Sequence, residues 1–354
     1  MTNIFEGRDV GVSVKIRQAA APVTVEPGAT ILEAALAGGV PYPHGCRSGN
    51  CGACKSQLLA GEVDLAPHSD YALGPEERAR GLILACRAVP WEDCEVAWLE
   101  EEDTVLHPSR RLSCRVVSVE RATHDIRVLR LAVVSGGPFS FSAGQFASLT
   151  FDGLPARDYS MANRPEEAEL EFHVRDMGGR VSRHVAERLR PGDDVTVTGP
   201  SGTAHLREGH TGPILAVAGG SGLAPVKSVV ETALARGMRQ PIHLFFGARD
   251  ERDLYLLDRF EALAAAHPNF RFVPVLSAPE GPTGRRTGYV GEVAAAALPD
   301  LDGCKAYLAG PPAMVEGTVP LLEARGMRAA DIHADAFYTE AEKNAAAGKG
   351  GSAR

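Results

Sequence analysis

The chain has 354 residues, 44% of them hydrophobic and 23% charged, which is the composition of a globular protein long enough for two or three domains. No apolar run approaches the roughly 20 residues of a membrane helix, and the N-terminus lacks the pattern of a signal peptide. The net charge of −8 comes entirely from residues 1–103, which hold 16 acids and 8 bases.

These observations predict a cytoplasmic protein with neither a membrane nor a nucleic-acid partner, because nucleic acid binds basic surfaces. The acidic end has two interpretations. It attracts the basic face of a partner protein, or it is only a solvated surface.

The first predicted domain covers residues 1–98. Short strands are predicted in "GVSVKIRQ" and "PVTVEP" and a helix in "ATILEAALAGG", followed by the cysteine-rich loop "CRSGNCGAC". Residues 99–110 mix acids, a proline and bases without periodicity, so they are interpreted as a linker.

The cysteine loop has three candidate explanations, which are a disulfide knot, a structural zinc ion and an iron–sulfur cluster. The spacing is Cys46-x4-Cys51-x2-Cys54-x31-Cys86. Disulfides are disfavoured by the odd total of seven cysteines and by the expected compartment. Zinc sites usually pair two C-x2-C units or add a histidine pair, neither of which is present. The spacing is that of the plant-type [2Fe–2S] cluster, with three thiolates on a loop and the fourth expected on a distant strand.

Three glycines, at 45, 49 and 52, suit this loop because its backbone must approach the sulfur atoms closely. The alternative is a chance cluster of buried cysteines. Cys94, Cys114 and Cys304 are isolated and are predicted to be small buried hydrophobes, and His44 is predicted to be a loop surface residue.

The second predicted domain covers residues 111–206. Apolar segments separated by turn residues ("RVLRLAVV", "QFASLTF", "ELEFHV", "DDVTVTG") predict an antiparallel barrel or sandwich. Since a [2Fe–2S] cluster carries one electron and common reductants deliver two, a flavin is expected between them.

Two motifs in this domain suit a flavin. Arg157, Tyr159 and Ser160 in "ARDYSMAN" offer a cation, a ring and a hydroxyl, although a plain strand end explains them equally well. In "HVRDMGGRVSRHV", Gly178 and Gly179 precede a helix predicted to open at about 181–182, whose N–H groups suit a pyrophosphate, with Arg175 adding charge.

The third predicted domain covers residues 207–338. Continuous apolar runs ("PILAVA", "IHLFFG", "RFVPVLS", "KAYLAG") alternate with helical segments, which predicts a doubly wound α/β fold. The first run leads into Gly220-x-Gly222-x-x-Pro225, a variant of the dinucleotide-binding glycine turn, unless it is a βα turn without a ligand. Residues 339–354 are low in complexity and predicted to be disordered.

To about residue 338 the chain resembles the reductase components of bacterial multicomponent oxygenases, in which a plant-type ferredoxin precedes a ferredoxin–NADP reductase-like module. Four motifs in the same order carry the resemblance: C-x4-C-x2-C…C, R-x-Y-S, G-G-S-G-x-A-P and "AGPPAM". The likeness is to naphthalene dioxygenase-type and benzoate dioxygenase-type reductases and to some cytochrome P450 O-demethylase reductases. It implies an α+β (β-grasp) ferredoxin domain, a β-barrel FAD domain and a doubly wound NAD domain. FAD rather than FMN is implied by the N-terminal position of the ferredoxin.

The resemblance also implies site residues. The cluster ligands would be Cys46, Cys51, Cys54 and Cys86. The flavin contacts would be Arg157, Tyr159, Ser160, Met161, His173, Val174, Arg175, Gly179, Val181, Ser182 and Phe337. The dinucleotide contacts would be Gly220, Ser221, Gly222, Gly310 and Pro311, and the catalytic residues would be Ser160, Asp335 and Phe337.

Asp335-x-Phe337 matches the family's acid-x-aromatic ending, in which the aromatic ring covers the flavin, although Phe337 is alternatively a core residue that closes the last strand. Ala309 departs from the family, which commonly has a cysteine before the Gly-Pro-Pro sequence, and implies slower hydride transfer. NADH is expected to be preferred over NADPH because Ser277 is followed by Ala278 instead of the arginine of NADP-specific relatives. Arg285 and Arg286 lie nearby and weaken that expectation.

The predicted function is an NADH-dependent oxidoreductase that passes electrons through FAD and the [2Fe–2S] cluster to a terminal oxygenase, or to an intermediate electron carrier. The oxygenase is an aromatic-ring dioxygenase or hydroxylase, or alternatively a cytochrome P450. A hypothesis of another class is a plain electron-carrier ferredoxin with an inert C-terminal scaffold, which bound FAD would exclude.

Overall fold

The structure is a computed structural model that describes residues 11–99, 105–339 and 342. It divides into two compact units, residues 1–102 with 338–354, and residues 103–337. Residues 100–104 of the predicted linker, and all of the predicted disordered tail except 339 and 342, lie outside the described residues.

In the first unit a five-stranded sheet has the order β2-β1-β7-β3-β5, and β4 pairs with β6 beside it. Strand β1 is parallel to β7, and the other neighbours are antiparallel. The elements are β1 (Val12–Ile16), β2 (Val23–Val25), α1 (Ile31–Ala37), β3 (Lys55–Ala60), β4 (Val63–Leu65), α2 (Pro75–Ala79), β5 (Leu82–Leu84), β6 (Ala88–Pro90) and β7 (Cys94–Trp98).

Helix α1 begins where a capping box closes its first turn. The Thr30 hydroxyl accepts the N–H of Glu33 at 3.3 Å, and the Glu33 carboxylate accepts the N–H of Thr30 at 2.9 Å. Ile31, Leu32 and Ala35 of this helix are buried in the core of the unit. The helix therefore fixes the point from which the cysteine loop departs.

The second unit starts with an antiparallel six-stranded sheet in the order β11-β10-β13-β8-β9-β12. An isolated bridge between Met161 and Phe172 joins the two edge strands, so the sheet nearly closes into a barrel. Its elements are β8 (Arg110–Arg121), β9 (Ile126–Ser135), β10 (Phe146–Thr150), β11 (Arg157–Ser160), β12 (Glu169–Arg175), α3 (Arg180–Glu187) and β13 (Asp194–Ser201).

Strand β8 is the longest strand of this sheet and has no counterpart among the predicted segments. It begins at Arg110, inside the predicted linker, and buries Leu112, Cys114 and Val116 on alternate positions. Helix α3 begins at Arg180, slightly earlier than predicted.

The rest of the second unit is a parallel six-stranded sheet in the order β17-β16-β15-β14-β18-β19. Every residue of β14 is buried, as expected of a strand covered on both faces. The elements are β14 (Ile214–Gly219), α4 (Leu223–Ala235), β15 (Ile242–Ala248), α5 (Leu257–Ala266), β16 (Phe270–Leu276), β17 (Arg286–Thr287), α6 (Val290–Ala297), β18 (Lys305–Gly310), α7 (Pro312–Glu323) and β19 (Ile332–Ala336).

In the part of the chain that the structure describes, no helix combines the length and the apolar character that crossing a membrane requires.

Candidate functional site

Four cysteine thiols meet in the first unit. Cys46, Cys51 and Cys54 lie on the loop between α1 and β3. The Cys46 thiol is hydrogen-bonded to the Cys51 thiol, and the Cys54 thiol to the Cys86 thiol. The sequence predicted that Cys86 lies on a strand. In the structure it lies on the turn between β5 and β6. This turn is closed by the Arg87 N–H, which donates to the Leu84 carbonyl at 2.8 Å.

Backbone N–H groups point at the sulfur atoms. Ser48 and Asn50 donate to Cys46 Sγ at 3.4 and 3.3 Å, and Cys46 donates to Cys51 Sγ at 3.3 Å. The hydrogen bond from the Cys51 thiol, aided by these N–H groups, lowers the pKa of Cys46 to about 5 in spite of its burial. The hydrogen bonds with Cys46 and Cys54, together with burial, raise the pKa values of Cys51 and Cys86, so among these three thiols only Cys46 has its charged form favoured.

The glycines of the loop explain how the backbone comes so close. A Cβ atom on Gly45 would lie 2.9 Å from Cys51 Sγ, and Gly49 and Gly52 have left-handed φ values of +79° and +75°. An L-residue at any of these positions would strain the backbone or displace the sulfur.

The donor set fits a [2Fe–2S] cluster, in which two iron ions share four thiolates. His44 is half-buried, with Nδ1 2.7 Å from the Tyr42 carbonyl and Nε2 3.0 Å from Arg47. Cys94, Cys114 and Cys304 are buried, as predicted.

A second group of predicted residues surrounds the end of β11 in the second unit. Ser160 ends this strand, and its hydroxyl donates to Asp335 Oδ2 at 3.2 Å. Tyr159 is half-buried against the barrel core, and burial raises its pKa to about 12. Arg157, at the start of the strand, is partly exposed.

Arg175 and the start of α3 lie at the end of β12. Arg175 Nε donates to Asp125 at 2.6 Å, and Asp176 accepts the Gly178 N–H at 2.9 Å and the Ser182 hydroxyl at 3.1 Å. The sequence analysis missed both aspartates, although Asp176 two residues before Gly178 is a recognisable Asx turn.

Three residues of the predicted flavin set turn their side chains into the protein. Met161 and Val174 are buried in the barrel core. His173 Nδ1 lies 2.9 Å from the Tyr255 hydroxyl, and its Nε2 lies 3.1 Å from Glu171. Any cofactor contact at these three positions would involve backbone atoms.

The glycine turn packs against the start of α7. Gly220 has a φ of +54°, and a Cβ atom on Gly222 would overlap the Ala309 carbonyl oxygen. Gly219 leaves room for Pro311, which a Cβ atom would approach to 3.0 Å. Glycine is therefore required for this close packing, and the exposed N–H groups of such a turn suit a phosphate.

Strand β19 brings the chain's acid-x-aromatic ending to the same place. Asp335 lies opposite Ala309 in the parallel register, and the Phe337 N–H donates to the Gly310 carbonyl at 2.9 Å. Phe337 is half-buried and packs against the core of the parallel sheet. Four segments therefore converge at one place, namely the R-x-Y-S strand, the glycine turn, the Gly-Pro-Pro loop and the acid-x-aromatic segment.

A buried ionic network lies beneath this convergence. Lys227 of α4, whose side chain is 3% exposed, donates to the Ala162 carbonyl at 2.9 Å and lies 3.2 Å from Glu171 and 3.3 Å from Glu231. Burial raises the pKa of Glu171, but the hydrogen bond from His173 and the charge of Lys227 outweigh it and hold that pKa well below its usual range. Arg259 pairs with Glu231 from α5.

Comparison with known proteins agrees with this geometry. Residues 14–90 match the 2Fe-2S iron-sulfur cluster binding domain, residues 113–206 the oxidoreductase FAD-binding domain and residues 216–319 the oxidoreductase NAD-binding domain. The chain is 44% identical over 320 residues to the ferredoxin–NAD(P)+ reductase component of naphthalene 1,2-dioxygenase/salicylate 5-hydroxylase systems of a Ralstonia species, covering 89% of this chain and 95% of the relative. It belongs to the family of reductase components of oxygenase systems.

The reductase is also 42% identical to the reductase subunit of an Amycolatopsis aromatic O-demethylase, covering 89% of this chain and 96% of the relative. The crystal structure of the Amycolatopsis cytochrome P450 reductase GcoB superposes with a TM-score of 0.76 at 40% identity, covering 92% of this chain and 98% of that one. The reductase is an oxidoreductase whose cofactors are a [2Fe–2S] cluster, FAD and NAD.

Lys227→Met in the reductase should lower the free energy of unfolding by about 3 kcal/mol, because it leaves two buried carboxylates short of a cation. Arg236→Met is the matched control, since Arg236 is 46% exposed and pairs with Glu166 and Glu208 at the surface. The control should change stability by less than about 1 kcal/mol. Urea unfolding measures both, and equal losses would contradict the importance of the buried network.

Proposed function

We propose that this protein is the NADH-dependent reductase that supplies single electrons to a terminal oxygenase. The convergence of Ser160, Asp335, the glycine turn and Gly310 at one place in the second unit carries this proposal, because it joins a flavin-type strand to a dinucleotide-type turn. Bound FAD would supply the exchange between the two-electron chemistry of NADH and the one-electron chemistry of the [2Fe–2S] cluster.

The residues have the following proposed roles. Cys46, Cys51, Cys54 and Cys86 hold the cluster. Arg157, Arg175, Gly179, Val181 and Ser182 hold the ribityl and phosphate groups of FAD, together with the backbone at Met161, His173 and Val174, and Tyr159 packs against the ring. Gly220, Ser221, Gly222, Gly310 and Pro311 hold NADH.

Ser160, Asp335 and Phe337 are the proposed catalytic residues. Asp335 accepts a hydrogen bond from the Ser160 hydroxyl and so fixes the orientation of that hydroxyl at the end of β11. Phe337 is half-buried, and its backbone N–H is hydrogen-bonded to the Gly310 carbonyl. From this position its ring would exclude water from the proposed flavin site until the nicotinamide binds.

We further propose the β-grasp fold for the ferredoxin domain and the doubly wound fold for the NAD domain. The proposed boundaries are 1–98, 111–206 and 207–338, with a linker at 99–110, and the proposed location is the cytoplasm.

The proposed partner is an aromatic-ring dioxygenase or hydroxylase, in keeping with the name of the Ralstonia relative. A cytochrome P450 is the second candidate, favoured by the likeness to GcoB. NADH-dependent product formation with purified oxygenases of each class distinguishes them. The matched FAD- and NAD-binding domains argue against a plain ferredoxin with an inert scaffold.

Cys51→Ser should abolish the cluster and leave FAD bound, because the loop and the flavin residues belong to different units. NADH-driven reduction of ferricyanide should survive, while reduction of cytochrome c collapses. Cys94→Ser, at a buried cysteine outside the loop, should retain both activities. If a folded Cys51→Ser protein lost ferricyanide reduction as completely as cytochrome c reduction, the proposed assignment of the cluster and FAD to separate units would be wrong.

NADH should be used at least about tenfold more efficiently than NADPH, since Ser277 and Ala278, the two residues directly after β16, carry no guanidinium for a 2′-phosphate. Steady-state kcat/KM values with ferricyanide as acceptor measure the preference. Comparable values for the two dinucleotides would refute it.

Phe337→Ala should leave the cluster spectrum intact and change the rate of flavin reduction by NADH, measured by stopped flow, because the ring would no longer cover the site. Tyr289→Ala is the control, since Tyr289 is 71% exposed and its ring lies on the surface. An unchanged rate in Phe337→Ala with normal stability would place Phe337 in the core and away from the flavin.

A further inference from the structure

Arg285, on the loop that precedes β17, forms an ion pair with Glu251. Its Nε donates to both carboxylate oxygens of Glu251, at 2.9 and 3.2 Å. The Thr283 hydroxyl donates to the same carboxylate at 2.8 Å. The side chains of Arg285 and Glu251 are 28% and 49% exposed, so the pair is reachable from solvent.

The pair lies at the carboxyl edge of the parallel sheet, the edge that also carries the glycine turn. Glu251 follows the end of β15, and Arg285 lies on the loop between β16 and β17. The two loops are joined because the Ser277 N–H donates to the Ala248 carbonyl and the Ala278 N–H to the Arg249 carbonyl, both at 2.9 Å. Ligands of open parallel sheets bind along this edge.

The charge of Glu251 opposes a phosphate in two ways. It occupies the guanidinium that a 2′-phosphate would otherwise bind, and it places a negative charge beside that phosphate. The hydrogen bond from Arg285 lowers the pKa of Glu251, so the carboxylate is ionised at neutral pH. Arg249, Arg252 and Arg286, which lie on or next to the same two loops, are exposed.

We propose that Glu251 determines dinucleotide specificity by holding Arg285 away from the 2′-phosphate of NADPH, which leaves NADH as the favoured reductant. This inference rests on the proposed NADH-dependent function and assigns the selectivity to one residue.

The test uses full-length protein loaded with FAD and the cluster, with ferricyanide as acceptor. In Glu251→Gln, the ratio of kcat/KM for NADPH to that for NADH should rise about tenfold, chiefly through a lower KM for NADPH, because one repulsive charge is lost and the guanidinium is freed. Arg285→Ala in the Glu251→Gln background should remove this gain. Glu280→Gln is the control, since Glu280 is an exposed carboxylate on the same loop whose backbone N–H bonds Asp250 at 3.2 Å.

An unchanged ratio in Glu251→Gln overturns the inference, and so does an equal gain in Glu280→Gln or a gain that persists in the double variant. If the wild-type protein does not oxidise NADH at all, the proposed function itself fails. A gain confined to Glu251→Gln and abolished by the loss of Arg285 supports the assignment.

Discussion

The ammonium group of Lys227 is the contact on which the arrangement of the second unit depends. It lies on α4, five residues after Gly222, and reaches Glu171 and the Ala162 carbonyl on the barrel side. Glu171 in turn lies four residues before Arg175 on β12. Burying the charges of Lys227, Glu171 and Glu231 costs desolvation energy that only good geometry offsets. The network therefore specifies one position of the glycine turn relative to the end of β12.

The conformation of the cysteine loop is held by different interactions. Backbone N–H groups that donate to the Cys46 and Cys51 sulfur atoms, together with left-handed glycines, shape this loop. The two halves of the electron path therefore differ in what holds them, since one uses main-chain geometry and the other uses buried side-chain charge.

The sequence predicted local features well because spacing and periodicity are local. The cysteine set, the glycine turn and the βαβ alternation are of this kind. Lys227 is a charged residue in a largely apolar helix, but its partners Ala162 and Glu171 lie more than fifty residues earlier in the chain. The Ser160–Asp335 hydrogen bond spans 175 residues and was expected only from family resemblance. The turn that carries Cys86 was expected to be a strand because the plant-type cluster spacing was interpreted as taking its fourth thiolate from a distant strand.

Position 309 has a consequence for oxidative chemistry. The family resemblance implies a cysteine there, whereas this chain has a buried alanine. Between residues 105 and 339 the remaining cysteines are Cys114 and Cys304, both buried. Peroxide converts accessible thiolates to sulfenic acids. The described residues of the second unit therefore expose no thiol to this oxidation.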